Sequence, residues 1–478
     1  MAFLRLLVLV VFACLCQAAL TAAQVLQKLQ AELKPKLSVG ASISFNDADA
    51  NRWSWYAAPD PAVIVNVKSE IDVQLTVAFC STFGIPFLAQ NGGTGWSTTF
   101  KMNNNGVIIN MAGLNQVTFN AEKTQATIGG GVSINSTIQA ADAAGALVLT
   151  GNCNCVGTLG AYLGGGYGNL MGLKGMGVDQ IISARLVTAD GKIQTVTASD
   201  PDLFWAIRGA GPNMGIVTSA VVKSTPASAA DRSAWTGALI FSPDKLEQIV
   251  QAIGNLHLKP EMNIFMYFIS SGAPANTPVV LLTPYLYKGD AAAGKVAFAS
   301  LYAIGPIQDA TAVVPYTEWN TGADGFCTRG GRKPSFSAGF QTMEPSAWRQ
   351  IWDKYVVFQK KPGAENSVVL LEAYSLDKAR SIPSSSTSFP HRGVNFNAVA
   401  IPWYYDASYD TEAINFGKAA RDLWRSNDGL TKDAVYINFA NGDDELSVVY
   451  GDSLSRLRTI KKQVDPKDRF NQWFNIPV

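Results

Sequence analysis

The sequence predicts an α+β chain in two units: a glycine-rich domain that opens on a βαβ pattern, and a second domain built on an antiparallel sheet covered by helices. Three observations lead there. Apolar strand runs alternate with helical spacing between residues 61 and 90, four glycine-dense segments lie between 90 and 215, and the pattern changes after a Ser/Ala/Pro-rich stretch at 224–231. The 38 basic and 37 acidic residues nearly cancel. That balance gives no electrostatic footprint for nucleic acid and no polybasic stretch for an anionic membrane.

Residues 1–23 read as a secretory leader: Arg5, an apolar run from Leu6 to Leu15, then small residues with cleavage after Ala18 or Ala23. The run is shorter than the roughly 20 residues a bilayer span needs, so a secreted or lumenal protein without a membrane anchor is expected after cleavage. The sequon Asn135-Ser136-Thr137 permits N-glycosylation.

Helical character follows around Ala23–Leu33. Pro61–Val67 reads as a strand, Ile71–Phe83 as a helix and Ile85–Gln90 as a second strand ending in glycines. Further strands are predicted at Gly106–Leu114, Gln125–Gly129 and Leu147–Thr150, with a small-residue helix over Ile134–Ala144. Ile182–Val187 and Lys192–Val196 form a hairpin about Ala189-Asp190-Gly191, and Gly215–Val222 closes the unit. Beyond the linker, helices are predicted at Pro243–Leu256, Ala291–Tyr302 and Thr411–Arg425. The strands are Met262–Ser270, Val279–Leu286, Ser367–Tyr374 and Asn395–Trp403. The last 48 residues predict a strand at Ala434–Phe439 and a helix at Tyr450–Lys462.

Histidine occurs only as His257 and His391, and no HExxH spacing exists, so no zinc site of that kind is expected and proton transfer falls to Tyr, Asp, Glu, Lys or a cofactor. No metal site is assigned. Outside the leader four cysteines remain, Cys80, Cys153, Cys155 and Cys327, which allow three pairings. The glycine segments are Asn91-Gly92-Gly93-Thr94-Gly95-Trp96, Gly129-Gly130-Gly131, Gly164-Gly165-Gly166-Tyr167-Gly168 and Gly209-Ala210-Gly211. Without Cβ atoms, backbone N–H groups can converge on an anion. One such cluster can be a tight turn; four suggest a long ligand bearing a diphosphate. Neither GxGxxG nor GxxxxGK[ST] fits, so a different fold is expected to bind it.

The order of motifs resembles the vanillyl-alcohol oxidase superfamily, in particular the FAD-linked, berberine-bridge-enzyme-like oxidoreductases of fungi and plants. The matching segments are IPFLAQNGGTGW (85–96), GNCNCVGTLGAYLGGGYGNL (151–170), GVDQIISARLVTADG (177–191), DLFWAIRGAGPNMGIV (202–217) and YGDSLSRLRTIKKQVDPKDRF (450–470). The resemblance implies a PCMH-type FAD-binding domain of two subdomains, split over 24–226 and 431–478, with a substrate domain at 227–430. It implies FAD contacts from Asn91, Gly92, Gly93, Thr94, Gly95, Trp96, Cys153, Gly157, Gly160, Gly164, Gly165, Gly166, Gly168, Asp179, Gly215, Ile216, Val217 and Asn438.

The chain departs from the family pattern in places. Thr94 stands where a histidine usually bonds the flavin 8α-methyl, which excludes that link; its hydroxyl either helps hold the diphosphate or fills the turn. Cys153 matches a cysteine that bonds flavin C6 in some members. A 6-S-cysteinyl link is therefore open, beside a free thiol or a disulfide, and non-covalent FAD is the expectation. Ala161 replaces a histidine near the flavin pyrimidine. Phe389-Pro390-His391-Arg392 resembles the entry to a strand that carries catalytic groups in relatives, but its nearest equivalents here, Ala398 and Ala400, are inert; His391 is expected to be structural. Tyr167 and Tyr436 remain as proton acceptors or as pocket wall.

The implied activity is oxidation of a small organic molecule, of secondary-metabolite type, by hydride transfer to flavin N5, with molecular oxygen as acceptor. A flavin-guided redox-neutral cyclisation and a metabolite-binding relic are the rival readings.

Overall fold

The computed structural model describes residues 20–45 and 50–478. Residues 1–19 of the expected leader lie outside the described residues; Ala22–Lys28 is helical, opened by a capping box between Thr21 and Gln24. Among the described residues no helix is long and apolar enough to cross a membrane.

The first sheet has four strands in the order Ser42–Ser44, Asp60–Asn66, Asn103–Asn110, Phe87–Gln90. Its last three strands pair in parallel, as the predicted βαβ pattern requires, because the crossover helix Glu70–Phe83 returns the chain to the same end. That helix starts at a Ser69–Asp72 capping box and stops at Gly84, whose φ of 66° suits a residue without Cβ. The second sheet is antiparallel: Val117–Phe119, Gln125–Gly129, Ile216–Lys223, Ile181–Val187, Ile193–Val196.

The third sheet has seven antiparallel strands, all drawn from residues 233–401. Its order is Gln308–Pro315, Ser233–Phe241, Pro278–Tyr287, Met262–Ser270, Val368–Tyr374, Phe396–Ile401, Phe336–Phe340. Helices Leu246–Gly254, Pro345–Gln359 and Asp410–Arg425 cover one face and close a core with Trp235, Phe268, Trp348 and Trp424. The other face turns to the glycine-rich part of the chain, where residues of both parts and of the C-terminal segment share one core. Across this junction a buried pair, Asp179–Arg392, makes two hydrogen bonds of 2.9 and 2.7 Å, and Arg392 also donates to Thr387 at 2.7 Å.

Several expectations are corrected. Ala434–Phe439 is not a strand. Only Ala434 pairs, with Gly339, and the chain then turns through Phe439 N–H to Tyr436 C=O (2.8 Å) and Ala440 N–H to Ile437 C=O (3.3 Å). Its apolar residues are buried by the surrounding core rather than by a ladder, which produces the same sequence pattern. Of Leu147–Thr150, only Leu147 pairs, in the two-residue strand Ala146–Leu147. Strands Ser233–Phe241, Gln308–Pro315 and Phe336–Phe340 and helices Pro201–Ala210 and Pro345–Gln359 were not foreseen.

Candidate active site

A cavity of about 340 Å³ lies between the seven-stranded sheet and the glycine-rich loops. Its sheet wall follows from the two-residue period of a strand. On Val368–Tyr374 the residues Val368, Leu370, Glu372 and Tyr374 line the cavity, whereas Val369, Leu371 and Ala373 enter the helix-side core. The neighbouring strand obeys the same rule: Val399 and Ile401 line the cavity, while Ala398 and Ala400 face the helices. The two alanines expected to mark the catalytic strand positions therefore point the wrong way. Glu372, one strand over and paired in register with Asn397, is the acid that reaches the cavity wall.

Sequence reasoning missed Glu372. The available signal was a lone carboxylate inside the apolar run Val368-Val369-Leu370-Leu371. Its carboxylate accepts a 2.9 Å hydrogen bond from Tyr374 Oη, which in turn accepts one of 2.6 Å from Asn152 Nδ2. Burial pushes its pKa up to about 7, against the opposing effect of the Tyr374 hydrogen bond. The expected acceptors Tyr167 and Tyr436 do line the cavity, their rings 4.7 Å apart. Burial pushes Tyr436 up to about 12, although its oxygen accepts from Asn438 Nδ2 (2.7 Å) and Gly166 N–H (3.2 Å). Burial raises Tyr167 as well. Both hydroxyls stay protonated near neutral pH, which makes them donors rather than bases.

The loop 91–96 leaves Phe87–Gln90 and forms the opposite wall. Gly92 C=O accepts from Arg329 (2.7 Å), Gly93 C=O from Trp53 N–H (3.0 Å), and Gly95 C=O from Arg52. Because a peptide N–H points opposite to the carbonyl of the same unit, the amides of Gly93, Thr94 and Trp96 turn away from these clamps. None of the N–H groups of residues 91–96 donates to an acceptor among the described residues. A loop of open amides is what a diphosphate requires. The glycines also permit close packing: a Cβ on Gly92 would lie 2.6 Å from Cys155 O, and one on Gly157 would lie 2.5 Å from Asn91 Nδ2. Asn91, Gly92, Gly93, Thr94, Gly95, Trp96, Cys153, Gly157, Gly160, Gly164 and Asn438 all line the cavity, as does Gly209. These residues fit FAD.

Other predicted contacts lie elsewhere. Gly165, Gly166, Gly168, Gly215, Ile216 and Val217 are not on the cavity wall, and Asp179 is committed to Arg392. His391 is half-buried and its Nε2 bonds Val448 C=O at 2.8 Å, a structural role. Cys155 is bridged to Cys327; Cys80 and Cys153 are free thiols. Cys153 lines the cavity, and burial pushes its pKa up to about 11, so the thiol rather than the thiolate stands at the position a 6-S-cysteinyl link would use. Part of the remaining wall is aromatic: Trp53 and Trp96 lie 5.3 Å apart, and Trp96 stacks on Phe439 at 5.7 Å.

Glycine-rich loops with open amides facing an acid-bearing antiparallel sheet are the features of a flavin-binding oxidoreductase. The family described as "FAD binding domain" matches residues 61–197, and "Berberine and berberine like" matches residues 435–477. FAD-linked oxidoreductase OXR1 of Pyricularia oryzae is 33% identical over 440 residues, 89% of this chain and 86% of that protein. FAD-linked oxidoreductase hasG of Aspergillus fumigatus is 32% identical over 438 residues, 87% and 91%. The fold is shared with 6-hydroxy-D-nicotine oxidase of Arthrobacter nicotinovorans (TM-score 0.77, 23% identity, 93% of this chain and 100% of that one). It is shared too with a xylooligosaccharide oxidase of Myceliophthora thermophila (0.76, 19%, 96% and 99%). The chain belongs to the berberine-like FAD-linked oxidoreductases of the vanillyl-alcohol oxidase superfamily, and its cofactor is FAD.

Proposed function

We propose that the protein oxidises a small, largely apolar or aromatic molecule at a carbon bearing oxygen or adjacent to nitrogen, with Glu372 taking the proton. FAD, when bound, supplies the two-electron acceptor. The observation that carries the reading is one carboxylate with a pKa near 7 on an otherwise mostly apolar and aromatic wall. A base is most effective when its pKa lies near the working pH, and Tyr374 and Asn152 hold this one in place. Trp53, Trp96 and Phe439 provide flat surfaces for an aromatic substrate, while Tyr167 and Tyr436 are placed to donate hydrogen bonds to its oxygen.

Molecular oxygen is the proposed final acceptor, supported by an expected secretory route that offers little nicotinamide. The Cys155–Cys327 disulfide supports that route, and Asn135 is exposed for glycosylation. The test is anaerobic mixing of the yellow holoenzyme with a panel of phenolic, polyketide-like and amine substrates. Bleaching by one class names the substrate. Product formation without bleaching points instead to a redox-neutral cyclisation.

A further inference from the structure

Cys153 Sγ lies 3.6 Å from Cys155 Sγ and 3.7 Å from Cys327 Sγ, while Cys155 and Cys327 are joined. The three sulfurs come from two parts of the chain. Cys153 and Cys155 sit on the loop that enters the flavin-domain helix Thr158–Tyr162, and Cys327 ends the Thr321–Cys327 helical segment of the inserted domain. Ala323 and Phe326 of that segment line the cavity, as do Cys153 and Cys155. Asn154 Nδ2 bonds Asp324 at 2.7 Å, and Trp53 Nε1 bonds Phe326 C=O at 2.6 Å. The disulfide thus ties a wall of the substrate cavity to the loop beneath it, with a third sulfur in contact with both of its atoms.

We propose that Cys153, Cys155 and Cys327 form a thiol–disulfide exchange site in which Cys327 is bridged by either partner. The Cys153 thiolate attacks Cys327 Sγ, the Cys153–Cys327 bond forms, the Cys155–Cys327 bond breaks, and Cys155 leaves as the thiolate. One disulfide is consumed and one produced, and the proton lost by Cys153 ends on Cys155, so no oxidant or reductant is needed. The tie between the domains is kept. What changes is which thiol faces the cavity, and hence whether position 153 is open to flavin attachment.

Cys153 lies broadside to the bond, about equally far from both sulfurs, so exchange requires the loop that carries it to move its sulfur onto the S–S axis beyond Cys327. Burial keeps it protonated; Asp324 and Glu372 act in the same direction, and the Cys155 N–H opposes them. Exchange is therefore slow at neutral pH and quickens about tenfold per pH unit while the thiolate fraction rises.

The experiment is peptide mapping of acid-quenched, alkylated holoenzyme, with fragment spectra distinguishing positions 153 and 155. After incubation at pH 9, bridges from Cys327 to both partners are expected, with much less exchange over the same time at pH 7. Cys155→Ser, exposed to oxidised glutathione, is expected to form Cys153–Cys327, whereas Cys153→Ser keeps Cys155–Cys327 alone. A map showing Cys155–Cys327 only, with Cys153 alkylated at every pH or carrying the mass of flavin, overturns the proposal. The wild-type map decides the matter even where a variant fails to fold. Retained visible absorbance shows separately that the cofactor assignment stands.

Discussion

Glu372 combines two effects that pull apart. As a base it works only when ionised, so turnover is expected to rise about tenfold per pH unit below its pKa near 7 and to level off above it. Glu372→Gln should lose roughly 10²–10⁴-fold in the rate of anaerobic flavin reduction while retaining FAD. The same burial that sets this pKa opposes the charge. The folded state holds the proton up to about 7 whereas the unfolded chain releases it near the ordinary glutamate value, so stability falls as pH rises through that window. Glu372→Gln is therefore expected to melt higher than the wild type at pH 8 and about equally at pH 4. A variant that is slow, yellow and no more stable at pH 8 would contradict the assignment. Tyr436→Phe, by contrast, should alter binding more than it alters the pH profile, because its hydroxyl is protonated throughout.

Among the elements, the glycine loop and the acid-bearing strand answer different demands. The loop presents open amides because its carbonyls are clamped by Arg52, Trp53 and Arg329, the last from far along the chain. Gly92→Ala places a methyl group against the Cys155 carbonyl, and one on Gly157 meets the Asn91 side chain. Each is expected to weaken FAD retention at least tenfold, read as the ratio of visible to ultraviolet absorbance after gel filtration. The strand Val368–Tyr374 was legible in the sequence, and so was its apolar character. Which of its faces met the cavity was not, since alternation becomes invisible when both faces are apolar. The resemblance accordingly matched the catalytic strand positions to Ala398 and Ala400, one residue out of phase with the inward-facing Val399 and Ile401, and left Tyr167 and Tyr436 as the expected proton acceptors.

For the whole molecule, the glycine-rich part and the seven-stranded sheet region meet at buried contacts that include the Asp179–Arg392 ion pair. Removing one partner leaves an uncompensated buried charge. Arg392→Met should therefore lower unfolding stability by about 3–5 kcal/mol. The double variant Asp179→Leu/Arg392→Met should recover much of that loss, measured by denaturant titration of the holoenzyme. The sequence by itself determined the class: the glycine segments pointed to a diphosphate-bearing ligand, because backbone that must approach a diphosphate tolerates few residues, and the resemblance of the motifs to a known family made that ligand FAD. It also determined most of the helices and strands, whose periodicities are local. Only the tertiary structure decided that Asp179 braces the domains, that Cys155 rather than Cys153 carries the bridge, and that Glu372 is the acid in the cavity. Each of those depends on which residue 170 to 220 positions away is brought alongside, and on how far burial moves a charge. Neither is encoded in any short stretch of chain.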